Sequence, residues 1–250
     1  MKVLIDGDIV AYRCAASVQD YESIEICYHR ITELINQIMY NTSADSHEVW
    51  LSGPDNFRYK IYPEYKANRK DMKRPAHLED CKAFLVTAFD AKLPTIWEAD
   101  DMLGYYQSND TVIATIDKDL LMVPGKHHNW VKAIDREVTP LDGLKHFYKQ
   151  MLIGDRSDNI IGVNKIGEVK AGRIIDPLEN EQDMLEVVFQ LYEEDAIRFL
   201  INASCLWINQ GEEQQFWTTH VKSVGLILPD QLKQEVEQMS DFTTSLMAAT

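Results

Sequence analysis

Short apolar runs alternate with longer segments of helical periodicity along the first 120 residues. The short runs are bounded by polar or turn residues, as buried strands are: Lys2–Ile5, Glu48–Leu51, Thr95–Trp97 and Thr111–Ile116. The longer segments repeat apolar residues three and four positions apart, as amphipathic helices do: Ile24 to Ile38, Ala83 to Phe89 and Met102 to Tyr106. This alternation predicts an α/β fold with a mostly parallel central sheet flanked by helices.

The pattern becomes helical after Pro140. Amphipathic runs cover Leu144 to Ile153, Met184 to Tyr192 and Ala196 to Trp207, and Gly211 to Gln215 reads as a polar linker. We therefore expect three regions. These are a core at 1–140 that includes a basic segment at 58–90, a helical region at 141–210, and a C-terminal extension at 211–250.

Composition excludes several classes of protein. Among the 250 residues, 45% are hydrophobic, which is enough for a compact core, yet no apolar run approaches the ~20 residues that span a bilayer. The first strand reaches Asp6 too early for a signal peptide, so we expect a cytoplasmic protein without membrane contact. The four cysteines are far apart, which favours buried thiols over a zinc site or a disulfide framework.

The charge is unevenly distributed. A net charge of −15 argues against indiscriminate binding of polyanions. Nevertheless, the segment from Arg58 to Arg74 holds 7 of the 25 basic residues and only two acidic ones, Glu64 and Asp71. A binding surface for nucleic acid is therefore expected in this segment.

Acidic residues occur in four clusters, at predicted strand ends or helix starts. The clusters are Asp6 with Asp8, Glu98 with Asp100 and Asp101, Asp117 with Asp119, and Asp155 with Asp158. Ligands bind beyond the carboxyl ends of parallel strands, and oxygen donors without histidine or cysteine suit Mg²⁺ or Mn²⁺. Two such ions about 4 Å apart would catalyse phosphodiester hydrolysis. The ordinary alternative is that these aspartates cap helices and close turns.

Two further motifs point to phosphate binding. Lys66, Arg69, Lys70 and Lys73 would share one face of a helix that begins at Lys66, directly after Tyr65, although a solvated basic face is the ordinary alternative. The stretch from Gly162 to Ala171 contains Gly167 and Lys170. It reads either as a glycine-bracketed turn that presents N–H groups to a phosphate or as an ordinary turn between helices.

In order along the chain, these motifs resemble the 5′-nuclease family, and within it the phage 5′–3′ exonucleases and flap endonucleases of replication and primer removal. The resemblance runs from Met1 to about Trp207 and rests on Ile-Asp-Gly-Asp, Pro-Glu-Tyr-Lys-Ala-Asn-Arg-Lys, Glu-Ala-Asp-Asp, Asp-Lys-Asp-Leu, Gly-Asp-Arg-Ser-Asp-Asn and Gly-Val-x-x-Ile-Gly. It implies a PIN-like nuclease core, a basic helical arch and a helix–three-turn–helix element that grips duplex DNA.

Carried over residue by residue, the resemblance implies two Mg²⁺ ions, for which Mn²⁺ substitutes. Asp6, Glu98, Asp100 and Asp117 would lie nearer one ion, and Asp119, Asp155 and Asp158 nearer the other, with Asp101, Asp8 and Asp55 as further candidates. Lys66 and Arg69 would contact the scissile phosphate. Tyr65, Lys70, Lys73, Gly162, Gly167 and Lys170 would contact DNA, and K⁺ would bind at the helix–three-turn–helix. The implied substrates are DNA 5′ ends, flaps and RNA–DNA hybrids.

Two other functions stay open from the residues alone. A PIN-type ribonuclease would share the fold, although such toxins are smaller and lack the Gly162 motif. A non-catalytic DNA-binding module would use the basic segment but gives no reason for the acidic clusters. Cleavage assays on DNA and RNA substrates with and without Mg²⁺ separate the three.

Overall fold

The computed structural model of this chain describes residues 1–248, which form two compact units. The first unit contains residues 1–56 and 72–138, and the second contains residues 57–71 and 139–248. The expected three-region division therefore differs from the structure in two places. Residues 57–71 belong with the helical half, and residues 211–248 of the expected C-terminal extension are part of the same unit. The last two residues of that extension, 249 and 250, lie outside the described residues.

Backbone hydrogen bonds explain the position of residues 57–71. The N–H of Lys66 donates to the carbonyl oxygen of Asp158 at 3.0 Å, so this segment is bonded to a loop of the second unit.

The first unit is built on a five-stranded sheet in the order β2-β1-β3-β4-β5. In chain order the strands are β1 (Lys2–Asp6), β2 (Ser46–Trp50), β3 (Thr111–Ala114), β4 (Gly125–Asn129) and β5 (Ile134–Val138). The pairs β1–β2, β1–β3 and β3–β4 are parallel, and only β4–β5 is antiparallel. The predicted mostly parallel sheet is confirmed.

Helices flank this sheet. They are α1 (Gly7–Ala16), α2 (Glu25–Thr42), α4 (Leu78–Phe89) and α5 (Ala99–Tyr105). Apolar side chains of β1, β2 and β3 pack with those of α1, α2 and α4 in one core, and Val3, Ile5, Ile31, Val49 and Leu85 are fully buried there. The predicted helical periodicity therefore marked the faces that pack on the sheet.

Three details of the sheet differ from the sequence prediction. One is strand β5, whose mostly charged sequence Ile-Asp-Arg-Glu-Val was not predicted to be a strand. Thr95–Trp97 is not a strand, and its carbonyl groups accept hydrogen bonds from a loop of the same unit: Thr95 from Asp55 and Trp97 from Gly53. Strand β4 was not predicted, because its sequence Gly-Lys-His-His-Asn is polar. Its two histidines are nevertheless buried within the unit.

The second unit is mainly helical. Its helices are α3 (Arg58–Ile61), α6 (Pro140–Ile153), α7 (Glu168–Ile175), α8 (Glu181–Leu191), α9 (Ala196–Leu206), α10 (Trp217–Ser223) and α11 (Asp230–Ala248). A two-stranded antiparallel hairpin, β6 (Gly154–Asp155) with β7 (Ile160–Ile161), follows α6. Aromatic side chains fill the core, where Phe199 packs edge-on against Phe189, Tyr192 and Trp217. The predicted helical pattern after Pro140 is confirmed.

Arg58 is a structural residue of this second unit. It is only 2% exposed, and its guanidinium donates to the carbonyl oxygens of Cys205 and Trp207, both at 2.8 Å. It thus satisfies carbonyl groups at the C-terminal end of α9. One of the seven basic residues of the Arg58–Arg74 segment therefore stabilises the fold and is not exposed.

All four cysteines are buried free thiols, as expected. Burial raises the pKa of Cys14 to about 11. Up to residue 248, the chain has no helix that is both long enough and apolar enough to cross a membrane.

Candidate active site

Asp6 lies at the carboxyl end of β1, where the chain turns directly into α1. Its Oδ1 accepts the N–H of Ile9 at 3.1 Å and so caps the helix, and its Oδ2 accepts the hydroxyl of Thr115 at 3.0 Å. The side chain is 2% exposed. Burial, reinforced by the charges of Asp8 and Asp117, raises the pKa of Asp6 to about 7, although the Ile9 and Thr115 hydrogen bonds oppose the shift.

Asp8 lies in the first turn of α1 and is held at both oxygens. Its Oδ2 accepts the N–H of Ser52 at 2.8 Å, and its Oδ1 lies 2.6 Å from the ammonium of Lys82 on α4. Ser52 also links this region to α5, because its hydroxyl accepts the N–H of Ala99 at 3.1 Å. Asp8 is therefore already paired with a cation of the protein.

Asp117 and Asp119 follow β3 on a short turn, three and five residues after the strand ends. The N–H of Asp117 donates to the hydroxyl of Thr115 at 3.0 Å, and Asp117 Oδ1 accepts the N–H of Asp119 at 2.9 Å. A 3₁₀ turn, Asp119–Met122, begins there. Because β1 and β3 are parallel neighbours, Asp6 and this turn lie at the same edge of the sheet.

Glu98 and Asp101 form a capping box at the start of α5. The N–H of Glu98 donates to Asp101 Oδ2 at 3.1 Å, while the side chain of Glu98 accepts the N–H of Asp101. Asp101 is fully buried and Glu98 is 9% exposed. Asp100 is the half-buried residue between them. Helix capping, the ordinary alternative for this cluster, is therefore present.

The carboxylates of the first unit suit a hard divalent cation by donor type. Asp6 is the strongest candidate ligand, because it is buried beside two like charges, and a bound cation would stabilise its ionised form. In residues 1–248, however, no three acidic, histidine or cysteine side chains are gathered closely enough to form a preorganised metal cage. The predicted roles of Asp6, Glu98, Asp100, Asp101, Asp117 and Asp119 as metal ligands stay predictions.

The last acidic cluster belongs to the second unit, in the loop of the β6–β7 hairpin. Asp155 Oδ1 accepts both the N–H of Ser157 at 2.6 Å and its hydroxyl at 2.8 Å, which closes the loop as an Asx turn does. Asn159 completes the turn in the left-handed region, with φ of 60°. The metal-binding roles of Asp155 and Asp158 also stay predictions.

The basic motif does not form the predicted helix. Lys66 has a φ of 54° in the left-handed region, and only a 3₁₀ turn, Ala67–Arg69, follows it. The expected common face of four cations is therefore wrong. Bonds to the hairpin loop replace the regular helix: Arg69 Nε donates to the carbonyl of Ser157 at 2.8 Å, and Asn68 Nδ2 to that of Arg156 at 2.6 Å.

The four cations of the motif have different surroundings. Lys66 is half-buried, with its ammonium 4.9 Å from the centre of the Tyr65 ring. Lys70 is exposed. Lys73 belongs to the first unit, where its side chain is 82% exposed and lies 2.7 Å from Asp20.

The two glycines of the Gly162–Ala171 motif serve different purposes. A Cβ on Gly162 would lie 2.4 Å from the backbone nitrogen of Gly154, so the hairpin requires glycine there. A Cβ on Gly167 would meet nothing within 4 Å. Gly167 is the residue before α7, which has no side-chain cap, and Lys170 lies exposed in the first turn of that helix. The predicted helix start is confirmed, and its DNA contacts stay a prediction.

Sequence reasoning missed three residues that organise the first unit's carboxylates: Ser52, Lys82 and Thr115. Thr115 was detectable, because it is a hydroxyl residue directly after a predicted strand and two positions before Asp117. Ser52 and Lys82 gave no local signal, since their partner Asp8 lies 44 and 74 positions away.

Known proteins resemble this chain in sequence. The N-terminal resolvase-like domain of 5′–3′ exonucleases matches residues 1–151. The 5′–3′ exonuclease of Buchnera aphidicola is 26% identical over 190 residues, covering 66% of this chain and 66% of the relative. The exodeoxyribonuclease of enterobacteria phage T3 is 24% identical over 201 residues, covering 70% and 66%. DNA polymerase I of Caldicellulosiruptor bescii is 27% identical over 267 residues, covering 93% of this chain but 30% of the polymerase.

The chain thus spans just under two thirds of the two nucleases and less than a third of the polymerase. Solved structures share its fold. The 5′-exonuclease of phage T5 with zinc bound has a TM-score of 0.66 at 18% identity, covering 96% of this chain and 99% of that one. The flap endonuclease of bacteriophage T5 with DNA and metal ions has a TM-score of 0.65 at 16% identity, covering 96% and 99%. Because the family match covers 151 of 250 residues, this chain belongs to the 5′–3′ exonuclease family through its N-terminal resolvase-like domain.

Proposed function

We propose that this chain is a divalent-metal-dependent nuclease that hydrolyses phosphodiester bonds of DNA from a 5′ end. The observation that carries the proposal is the buried Asp6 at the end of β1, whose pKa is raised by burial and by Asp8 and Asp117. These three carboxylates lie within residues 1–151, which match the N-terminal domain of the family, and this supports the proposal. The T3 relative is named an exodeoxyribonuclease, and T5 structures with this fold contain metal ions and DNA.

Asp6, Glu98, Asp100, Asp117 and Asp119 are the proposed oxygen ligands of the first unit, and Mg²⁺ is the proposed ion, with Mn²⁺ as a substitute. When bound, such ions activate water and stabilise charge on the phosphate. The protein's own contribution is to fix the carboxylates. The Thr115 hydroxyl donates to Asp6, the N–H of Asp119 donates to Asp117, and the capping box with Asp101 holds Glu98. Binding of two ions is part of the proposal.

Lys66 and Arg69 of the second unit are the proposed phosphate-contacting cations. A positioned ammonium and guanidinium stabilise charge that develops on a transferring phosphoryl group. Flaps, duplex 5′ ends and the RNA strand of RNA–DNA hybrids are the proposed substrates, which would suit primer removal. The exposed N-terminal turn of α7 and Lys170 are the proposed duplex contacts, with K⁺ as a proposed ligand of the preceding turn.

The test uses 5′-labelled duplex, flap, single-stranded RNA and RNA–DNA hybrid substrates, with Mg²⁺ or with EDTA. We expect Mg²⁺-dependent release of short 5′ products from DNA. Asp117→Asn should abolish cleavage while DNA binding stays measurable, because Asp117 supplies a proposed metal ligand and no phosphate contact. Cleavage of RNA alone would favour a PIN-type ribonuclease, and tight binding without cleavage would favour a binding module. Either result would overturn the proposal.

A further inference from the structure

An open cleft of the second unit lies between helix α8 and the segment that precedes α11. Its volume is about 290 Å³, and it is lined by apolar and polar residues: Phe189, Ile227, Leu228 and Pro229, and Glu186, Gln190 and Glu194. The three polar residues are four positions apart along α8 and the turn after it, and all are exposed, so they form one side of the cleft. Residues 227–229 form the other side.

Hydrogen bonds hold the two sides of this cleft together. The main chain of Ile227 is bonded twice to one side chain of α8: its N–H donates to Gln182 Oε1, and its carbonyl accepts Gln182 Nε2, both at 2.9 Å. Farther along the chain, the side-chain amide of Gln231 donates to Glu194 Oε2 at 3.1 Å. The cleft is therefore fixed before a ligand arrives, and a preorganised site loses less conformational entropy on binding.

Ile227 presents an apolar side chain at the edge of the cleft. Its main chain is bonded to α8, yet the residue is 75% exposed. It belongs to a run of three apolar residues, 226–228, between Gly225 and Pro229. Single exposed apolar side chains are ordinary, but a ligand in the cleft would remove this one from water together with the apolar lining, and this favours binding.

The charge on this side of the second unit is negative. Residues 181–195 include six acidic side chains and no basic one. Glu186 Oε1 accepts the side-chain amide of Gln182 at 2.8 Å, and Glu194 accepts that of Gln231, so both carboxylates are oriented by neutral amides that leave their charge in place. Such a surface repels the phosphates of DNA and attracts a ligand that carries cations.

We propose that this cleft binds a protein partner through a segment in which lysine or arginine side chains flank apolar ones. The apolar side chains would contact Ile227 and Leu228, and the cations would pair with Glu186 and Glu194. An apolar centre with a charged rim is the usual arrangement of a protein-binding surface. None of these residues is a proposed metal ligand or phosphate contact, so the proposal goes beyond the nuclease activity and does not depend on it.

The test measures fluorescence anisotropy of a short fluorescein-labelled peptide in which lysines flank a Leu-Phe pair. One control peptide has glutamates in place of the lysines, and the other has serines in place of the Leu-Phe pair. We expect the lysine peptide to bind at least about 10-fold more tightly than either control. Its affinity should fall as salt is raised, because exposed charges are screened.

Variants of the chain locate the binding site. Ile227→Ser should weaken peptide binding by roughly 10-fold, and its hydrogen bonds to Gln182 are kept because they come from the main chain. Glu186→Gln/Glu194→Gln should weaken binding by about 3- to 10-fold, the scale of two exposed ion pairs. The matched controls are Ile197→Ser, at a residue 60% exposed outside the cleft, and Glu212→Gln/Glu213→Gln. Both should bind the peptide as wild type does.

Several results would overturn the proposal. These are no binding of the lysine peptide at low salt, equal binding of the glutamate peptide, or equal losses in the cleft variants and their controls. Self-association of wild type that Ile227→Ser abolishes in sedimentation velocity would identify a second copy of the chain as the occupant. A loss of flap-DNA affinity in Ile227→Ser, at unchanged Tm, would show that the cleft serves nucleic acid.

Discussion

The ammonium of Lys82 lies 2.6 Å from Asp8 Oδ1, and the other oxygen of Asp8 accepts the N–H of Ser52 at 2.8 Å. A lysine on α4 thus neutralises one carboxylate of the acidic cluster without any metal ion. The charge of Asp8 also contributes to the raised pKa of Asp6, so Lys82 limits repulsion within the cluster.

Lys82→Met should destabilise the protein in EDTA at pH 8, because it leaves a partly buried carboxylate without its cation. Loss of such a partner costs about 1–2 kcal/mol, or roughly 3–6 °C in Tm for a chain of this size. Mg²⁺ should then stabilise the variant more than wild type. Lys92→Met is the control, because it removes a 2.9 Å pair with Glu48 outside this cluster, and its Mg²⁺ response should match wild type. An unchanged Mg²⁺ response of Lys82→Met would contradict this account.

Asp6→Asn should stabilise the metal-free protein at high pH. The pKa of Asp6 is raised from 3.8 to about 7 in the folded chain, so its favourable contribution is complete below pH 3.8 and lost as pH rises through 7. At pH 8 in EDTA the variant should melt several degrees above wild type, whereas at pH 4 the two should be similar. Asparagine still offers an oxygen to the N–H of Ile9.

Calorimetry at both pH values, with and without Mg²⁺, checks this prediction. Mg²⁺ should stabilise wild type at pH 8 more than Asp6→Asn. Asp45→Asn is a control of opposite sign, because its pKa is lowered by the hydrogen bond to the N-terminal amine, so that variant should not gain stability at pH 8. A lower Tm for Asp6→Asn than for wild type at pH 8 in EDTA would refute the repulsion argument.

Gly167→Val should leave the fold intact and weaken duplex binding. The added side chain begins in open space, and the φ of −108° is accessible to any residue. If the backbone at the start of α7 contacts a DNA phosphate, the new bulk should reduce affinity for duplex-containing substrates by roughly 10-fold, a loss of about 1.4 kcal/mol. Affinity for short single strands should be nearly unchanged, and the Tm should shift little.

Gly162→Val provides the contrasting case in the same motif. Its Cβ would lie 2.4 Å from the backbone of Gly154, so we expect a large loss of Tm and equal loss on all substrates. The measurement is a binding titration of each variant with duplex and with single-stranded DNA, after its Tm has been checked. It separates a duplex contact from a purely structural role of the glycine. An unchanged ratio of the two affinities in Gly167→Val would exclude the duplex contact.

Lys66→Ala and Lys73→Ala should separate rate from binding. Lys66 is half-buried and fixed by the hairpin loop, so its loss should slow single-turnover cleavage by roughly 100-fold or more, corresponding to at least about 2.7 kcal/mol. Lys73 is 82% exposed and paired with Asp20, so its loss should change only affinity, lowering the salt dependence by about one ion. Equal rate losses in the two variants would contradict this division.

The amino-acid sequence determined the parts of this protein that depend on local pattern. Apolar runs placed β1, β2 and β3, and helical periodicity placed α2, α4, α6, α8 and α9, because burial on one face imposes a fixed repeat. The sequence also predicted that the acidic residues at the carboxyl ends of β1 and β3 lie at one edge of the sheet, since parallel strands bring these ends together. Strand β4 was not predicted, because its two buried histidines do not form an apolar run in the sequence.

Tertiary structure decided the pairings. Arg69 and Asp158 are 89 positions apart, and neither neighbourhood contains a signal for the other. A periodic helix from Lys66 was the reasonable local expectation, but bonds to the hairpin loop outweigh the preference of Lys66 for a right-handed conformation. Charge and periodicity identify which residues carry chemistry. Which carboxylate faces which cation depends on distance between segments, which only the folded chain fixes.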